Sequence, residues 1–235
     1  MRVDEKDGTA RYRRSTLVRQ RQTVTHFIDH VEESSLQDHG IFQLALKETG
    51  TLFRYNLGPE NKGFMLCQDC GCSEPLRGYK AGKKHQRLRA LSGERMCNNE
   101  QPWTKILAYG HRFQSCCLIA RPVSMPVSVE SLAYALQRAL CTTLDIDAYD
   151  IGVSWRWLAG KNKLPACEII LFDHTPGGAG FVRDGFDSWD KVVAKAKELC
   201  EGHICERACY DCLKSYGNQT HHEKLDKTTV VDFLE

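Results

Sequence analysis

The sequence predicts an α/β fold, a mixed sheet with helices packed on it and cysteine-rich turns at two places. Three observations carry this. Helical and strand-like apolar periods alternate between residues 129 and 199. Four cysteines, Cys200, Cys205, Cys209 and Cys212, fall close together with four, three and two residues between them. A second group, Cys67-Gln-Asp-Cys70-Gly-Cys72, opens a long basic stretch.

Taken in order, residues 1–22 are polar and basic without an apolar period, and read as a tail or linker. Residues 23–63 form the N-terminal part of the α/β domain. There Val24, Phe27, Ile28 and Val31 recur at helical spacing and predict a short helix over Thr23 to Glu33. Ile41 to Leu46 and Thr51 to Tyr55 read as short strands, the second closed by the turn-rich Asn56-Leu-Gly-Pro.

Residues 64–98 read as an inserted ribbon. The CxxCG pattern of Cys67, Cys70 and Gly71 is that of a zinc-ribbon knuckle, because a glycine after the second cysteine permits the tight turn that aims backbone amides at sulfur. His85 and Cys97 are the natural partners, with Cys72 as a substitute. Arg77, Lys80, Lys83, Lys84, Arg87, Arg89 and Arg95 make this stretch a basic stripe, and Lys83, Lys84, Arg87 and Arg89 are the candidate contacts to nucleic-acid phosphates. A solvated surface loop would look the same. Arg11, Arg13, Arg14, Arg19 and Arg21 crowd the beginning in similar fashion.

Residues 99–235 hold the main domain. Cys116 and Cys117 lie in the strand-like run Phe113-Gln-Ser-Cys-Cys-Leu-Ile-Ala and read as small core residues. Ser128 is placed to cap a helix that starts with Glu130 in its first turn and buries Val129, Leu132, Ala133, Leu136 and Leu140, running to about Thr142. Ile151 to Leu158 alternates like a half-buried strand, and Glu168 to Asp173 reads as a buried one. That strand runs into His174-Thr-Pro-Gly-Gly-Ala-Gly. Neither a Walker lysine nor GxGxxG is present, so the glycines serve a sharp turn rather than a phosphate. A helix from about Ser188 to Leu199 buries Trp189, Val192, Val193, Ala196 and Leu199 and delivers Cys200.

The run from Cys200 to Cys212 is local and surrounded by Lys, Glu and Arg, a poor setting for apolar core. Four thiolates at such spacing close a tetrahedron around a structural zinc. Buried or disulfide-bonded thiols are the competing reading. With twelve cysteines and no apolar leader in Met1-Arg-Val-Asp-Glu-Lys, metal ligands and free thiols are expected over a disulfide framework, and the cytoplasm is the expected compartment. A net charge of +2 does not by itself mark a nucleic-acid binder.

Leu171-Phe-Asp-His-Thr-Pro-Gly-Gly-Ala-Gly-Phe, then Ala208-Cys-Tyr-Asp-Cys-Leu-Lys-Ser-Tyr-Gly-Asn-Gln, then His221-His222 and Leu225-Asp226 together resemble the MrfA-type zinc-binding domain, the C-terminal module of a group of superfamily 2 DNA helicases. Gly110-His-Arg-Phe and the Gly63-Phe-Met-Leu-Cys approach to CxxCG resemble the longer members found in the DISARM phage-defence system. The resemblance implies a zinc-stabilised α/β module that supports a helicase, either in the same chain or as a partner, with Cys200, Cys205, Cys209 and Cys212 as its zinc ligands; a superfamily 2 helicase on a separate chain is the partner expected here. Asn218, Gln219, His222 and Asp226 match the motif that follows and carry no implied catalytic role. Two departures stand out: helicase motifs are absent, and Cys116-Cys117 occupies the strand position where the family has an aspartate.

The functional expectation is a non-catalytic zinc module that supports a DNA helicase and contacts nucleic acid, in DNA repair or phage defence. The alternative is a nuclease or other metal-dependent hydrolase. His222-Glu-Lys224 begins like the HxK of phospholipase-D-type nucleases, but the following aspartate and a second HxK are missing. Four cysteines also leave a zinc no open position for water. A redox sensor that releases zinc on thiol oxidation is a third, minor reading.

Overall fold

The computed structural model describes residues 2–3, 10–11, 23–69, 71–76, 85–86, 96–97, 103–159 and 165–235. The basic tail lies almost wholly outside these, as do Cys70, Lys83, Lys84, Arg87 and Arg89. Strands run in chain order β1 (Arg2–Val3), β2 (Ala10–Arg11), β3 (Thr23–Phe27), β4 (Gln37–His39), β5 (Phe42–Asn56), β6 (Phe64–Cys67) and β7 (Ser73–Pro75). Next come β8 (His85–Gln86), β9 (Met96–Cys97), β10 (Trp103–Ile106) and β11 (Tyr109–Pro122). Helix α1 (Val129–Leu144) precedes β12 (Ile151–Ala159) and β13 (Pro165–Asp173), and α2 (Phe181–Asp187), α3 (Trp189–Glu201) and α4 (Thr228–Leu234) close the order. The chain divides into two compact units, Met1–Val24 with Arg54–His111, and Thr25–Phe53 with Arg112–Glu235.

The second unit is built on a sheet of order β12-β13-β11-β5-β3, with β4 paired to β5. β12 and β13 form an antiparallel hairpin from Ile151↔Asp173 to Ala159↔Pro165, and β13 pairs antiparallel with β11 from Cys117↔Phe172 to Ala120↔Ile169. Side chains alternate faces along a strand, so an unbroken apolar run marks a strand covered on both sides. Ile169 and Leu171 accordingly join Leu118 and Ala120 in one apolar cluster with the helices, while Ile170 and Phe172 join Cys117, Ile119, Leu52 and Phe27 in another.

α1 forms where the sequence places it. The Ser128 hydroxyl accepts the Ser131 N–H (3.2 Å), Glu130 sits in the positive first turn, and Leu132, Ala133, Leu136 and Leu140 are fully buried. Asp145 ends the helix in the left-handed region at φ +54°, its N–H reaching the carbonyls of Cys141 and Thr142.

Two expectations are corrected. Thr23 to Glu33 is not a helix but β3 followed by a 3-10 turn at Glu33–Ser35. The β-branched run Thr23-Val24-Thr25 favours extended backbone, and Asp29 accepts the Thr51 N–H (2.7 Å) while Thr51 accepts that of Ile28 (3.0 Å), tying the segment to β5. Only Phe27 and Val31 of the apparent apolar stripe are buried. The two short strands are one strand, β5, running through Gly50. A Cβ at Gly50 would lie 2.6 Å from the Cys117 sulfur and 2.9 Å from the Phe27 ring, so this glycine serves close packing rather than a turn.

One polar network is buried on the sheet. Glu168, fully buried, receives Arg121 through Oε1 and Arg156 through Oε2, each at 2.7 Å. Arg121 also reaches Glu33, and Arg156 the Asp29 carbonyl (2.7 Å). Burial of a carboxylate is tolerable only with such complete pairing.

In the first unit β6 pairs antiparallel with β10, Cys67↔Trp103 to Phe64↔Ile106, and with β7. The β8–β9 pair sets His85 opposite Cys97. At Gly63 (φ +85°) a side chain would collide with the Ile106 carbonyl at 2.3 Å.

Candidate metal centre

Helix α3 delivers the first cysteine. Trp189, Val192 and Ala196 bury its inner face against the main cluster, and Cys200 in the last turn is itself 1% exposed. The chain then leaves the helix and folds back so that Cys205, Cys209 and Cys212 converge. The Cys212 sulfur lies 3.7 Å from that of Cys205 and 3.7 Å from that of Cys209. Four sulfurs at about 2.3 Å from a tetrahedral zinc stand about 3.8 Å apart, so these spacings are edges of the right tetrahedron.

Backbone amides complete the fit. The Cys209 N–H points at the Cys212 sulfur (3.1 Å) and the Asp211 N–H at the Cys209 sulfur (3.4 Å). Amides aimed at sulfur favour the thiolate, the form a metal binds. Cys209 reflects this: burial pushes its thiol up, but the amides of Asp211 and Cys212 and the thiols of Cys212 and Cys205 outweigh it and hold it below the ordinary value. Cys200 goes the other way, pushed up to about 12 by burial and by Cys212 beside it, and Cys205 is pushed up to about 11 by burial and by Cys212. The cluster therefore sheds protons when a cation arrives.

A donor absent from the sequence-based ligand set also faces the cluster. His203 Nδ1 is 3.5 Å from the Cys209 sulfur, and the donor atoms of His203, Cys205 and Cys209 all lie within 4.8 Å of one another. The other ring nitrogen, Nε2, is 3.3 Å from the Asp211 carboxylate, the arrangement that orients metal-facing histidines. Lys227 Nζ donates to the His203 carbonyl. Cys200 and His203 thus both stand beside the triad of Cys205, Cys209 and Cys212. His203 lies within the cysteine run, but position alone does not tell what its two nitrogens face.

The motif after the cysteines is a support for them. Asn218, 1% exposed, accepts the Ser215 N–H (2.8 Å), donates to the Leu213 carbonyl (2.8 Å) and meets His222 Nε2 at 2.9 Å. Asp226 receives Arg207 and, through one oxygen, both the N–H (3.0 Å) and hydroxyl (2.8 Å) of Thr228 at the start of α4. Arg138 of α1 donates to the Tyr210 carbonyl (2.7 Å), fastening the knuckle to the helix. Tyr210 and Tyr216 are 58% and 49% exposed, so neither is packed away around the cysteines.

The glycine-rich turn wraps an aspartate instead of a ligand. Asp173 is fully buried at the end of β13, and its carboxylate accepts the N–H groups of Ala179 (2.7 Å), Gly180 (2.8 Å) and Val182 (3.1 Å) at the start of α2. Cys116 and Cys117 are buried in the sheet, and burial pushes the Cys116 thiol up to about 11 and Cys117 higher still.

Of the earlier candidates in the first unit, Cys67, His85 and Cys97 are brought together and all three are buried. Cys70 and the basic residues Lys83, Lys84, Arg87 and Arg89 fall outside the described residues.

Residues 132–213 match the MrfA Zn-binding domain. The match takes in all four C-terminal cysteines and His203, and zinc is the ion this Zn-binding domain is named for. Druantia protein DruE of Escherichia coli (strain UMEA 4076-1) is 26% identical over 198 residues, covering 74% of this chain and 11% of that protein. Among solved structures, the DUF1998 helicase MrfA bound to DNA is similar at a TM-score of 0.49 and 13% identity, over 90% of this chain and 24% of the helicase. The same helicase bound to DNA and AMPPNP gives 0.42 and 14%, over 84% and 23%. The chain thus spans about a tenth of the length of the curated relative and about a quarter of the helicase. Among the described residues, no helix is long and apolar enough to cross a membrane.

Proposed function

We propose that this chain is a non-catalytic zinc-binding module that supports a superfamily 2 DNA helicase on a separate chain and contacts nucleic acid, in DNA repair or phage defence. The observation that carries the reading is the cysteine triad at tetrahedral spacing inside the segment that matches the Zn-binding domain. Cys200, Cys205, Cys209 and Cys212 are the proposed ligands. A zinc held by four protein donors has no position for a reacting water, so its work is to fix the fold of the segment around it. What it fixes is the loop between α3 and α4, which Arg138 and Lys227 also tie down.

Nucleic-acid contact is assigned to the basic stripe, with Lys83, Lys84, Arg87 and Arg89 as the phosphate contacts. Each neutralised phosphate releases counterions, so binding weakens with salt in proportion to the number of contacts. The test is fluorescence anisotropy of the purified chain against single- and double-stranded DNA at several salt concentrations. Replacing the four basic residues by alanine is expected to weaken binding and to flatten the log–log salt slope by up to about 3.6 on duplex DNA. Binding that ignores both salt and the substitutions overturns the nucleic-acid part. Helicase support is tested by adding the chain to a purified MrfA-type helicase core and following its DNA-dependent ATPase; unchanged rate and no co-elution overturn it.

A further inference from the structure

The first unit holds a second set of donors, outside the segment that matches the Zn-binding domain. Cys67 closes β6, and the turn that follows it is a knuckle. The Cys67 N–H donates to the Cys72 carbonyl (2.9 Å) and the Gly71 N–H to the Cys67 carbonyl (2.9 Å), with Gly71 at φ +68°. Nothing lies within 4 Å of a Cβ built there, so the glycine is required by backbone conformation and not by space. His85 and Cys97 approach from elsewhere, as register partners on β8 and β9.

The three side chains meet. The Cys67 and Cys97 sulfurs are 3.9 Å apart, again close to the roughly 3.8 Å edge of a zinc–thiolate tetrahedron. All three donor atoms lie within 4.8 Å of one another, and the residues are 0%, 7% and 1% exposed for Cys67, His85 and Cys97. Burial of this kind usually means apolar packing, but neither apolar cluster of the described residues contains Cys67 or Cys97. Beside them, the Asp69 carboxylate is 3.9 Å from the Cys97 sulfur, and the Trp103 ring packs on His85 at 4.6 Å between centroids. Three ligand-type residues from three short segments converge their donor atoms on one point, the arrangement a bound metal ion requires.

We infer that Cys67, His85 and Cys97 hold a second zinc ion, independent of the C-terminal one. For a fourth donor the sequence offers Cys70 and Cys72. The ion joins the end of β6 to the two-residue pair β8–β9, whose own backbone bonds are too few to form a stable ribbon alone. It therefore supplies the folding free energy of this part of the unit.

The experiment is metal stoichiometry of the full-length chain by elemental analysis, together with the visible spectrum of the Co(II)-substituted protein. Two metals per chain are expected, falling to one in Cys97→Ser and in Cys67→Ser, and independently to one in Cys212→Ser. Because a serine variant could lose metal simply by unfolding, His85→Cys provides the second arm. It is expected to keep two metals while its cobalt thiolate charge-transfer band grows and the d–d bands shift, as a nitrogen donor is exchanged for sulfur. One metal that survives Cys97→Ser and disappears in Cys212→Ser overturns this inference and leaves the proposed function standing. One metal that disappears in Cys97→Ser and survives Cys212→Ser does the reverse. An unchanged cobalt spectrum in a two-metal His85→Cys protein removes His85 from the ligand set and overturns the site as assigned.

Discussion

Replacing Cys212 by serine is the sharpest perturbation of the C-terminal centre. Its sulfur is the point shared by both 3.7 Å contacts, and it also receives the Cys209 N–H at 3.1 Å, so its loss removes both sulfur–sulfur edges at once. Structural zinc in small domains contributes about 10–16 kcal/mol of apparent binding free energy, all of it expressed as folding. A whole domain is stable by only about 5–15 kcal/mol. Loss of the ion is thus large enough to release the segment it holds. Leu213, Leu225 and Val230, all at most 2% exposed, would then face water at about 1.5–3 kcal/mol each.

The expected outcome is loss of one zinc per chain, together with rapid hydrogen exchange at the amides of Leu213, Leu225 and Lys227, which bond to Cys209, His221 and Arg207. The β13 amides paired with β11 and β12 should stay protected. Cys167→Ser is the control, a thiol equally buried at 1% but packed in the sheet cluster, and should leave zinc content unchanged. If Cys212→Ser keeps its zinc and its protection, the reasoning from sulfur spacing to metal is wrong.

Other perturbations separate the remaining parts. His203→Ala and Asp211→Asn should each weaken zinc binding about 10–100-fold in competition with a chromogenic chelator, as expected for a histidine–carboxylate pair at a metal; unchanged affinity would make His203 a bystander. Asp173→Asn keeps one acceptor oxygen but turns an amide donor toward buried N–H groups, so urea unfolding should show a loss of about 2–4 kcal/mol with little change in zinc content. Asp226 has its carboxyl held below the ordinary 3.8, since bonds from Thr228 and the charge of Arg207 outweigh the opposing effect of burial. The stability it contributes is complete above about pH 4, near the unfolded value, and is lost as pH falls through the lower folded value. Asp226→Asn should therefore flatten the acid limb of a stability-versus-pH profile below pH 4 and leave the profile near neutrality parallel to the parent's.

The C-terminal half was legible because its signals are local. Ser128 and the apolar stripe of α1 lie within one helix, and the cysteine run lies within one loop. The N-terminal half was less so, because its segments answer to distant partners. Val24, Phe27, Ile28 and Val31 have helical spacing, yet the backbone is extended since Asp29 and Ile28 bond to Thr51 on another strand. Gly50 reads locally as a break, and only the Cys117 sulfur beneath it explains why β5 continues through it. Helix α2 escaped notice because Gly185 weakens its pattern; a Cβ there would lie 2.1 Å from Leu140. At the site, the thiols were found by spacing alone. His203 was missed because a histidine's role depends on what its two nitrogens face, which no spacing rule reports.

The buried Asp173 has a bearing on how such chains drift and are recognised. Its carboxylate, the left-handed Gly178 (φ +87°) and Cys116 occupy one small volume: a Cβ at Gly178 would come within 3.0 Å of the Cys116 Cβ and 3.3 Å of the Asp173 oxygen. A bulkier residue at any one of the three forces a change at another, so the positions should covary in an alignment although they come from two strands and a turn. A search pattern built on the glycines alone would gather phosphate-binding loops, which share the glycines for a different reason. A pattern that also demands the upstream aspartate and a small residue at position 116 would select chains in which the turn closes over its own carboxylate.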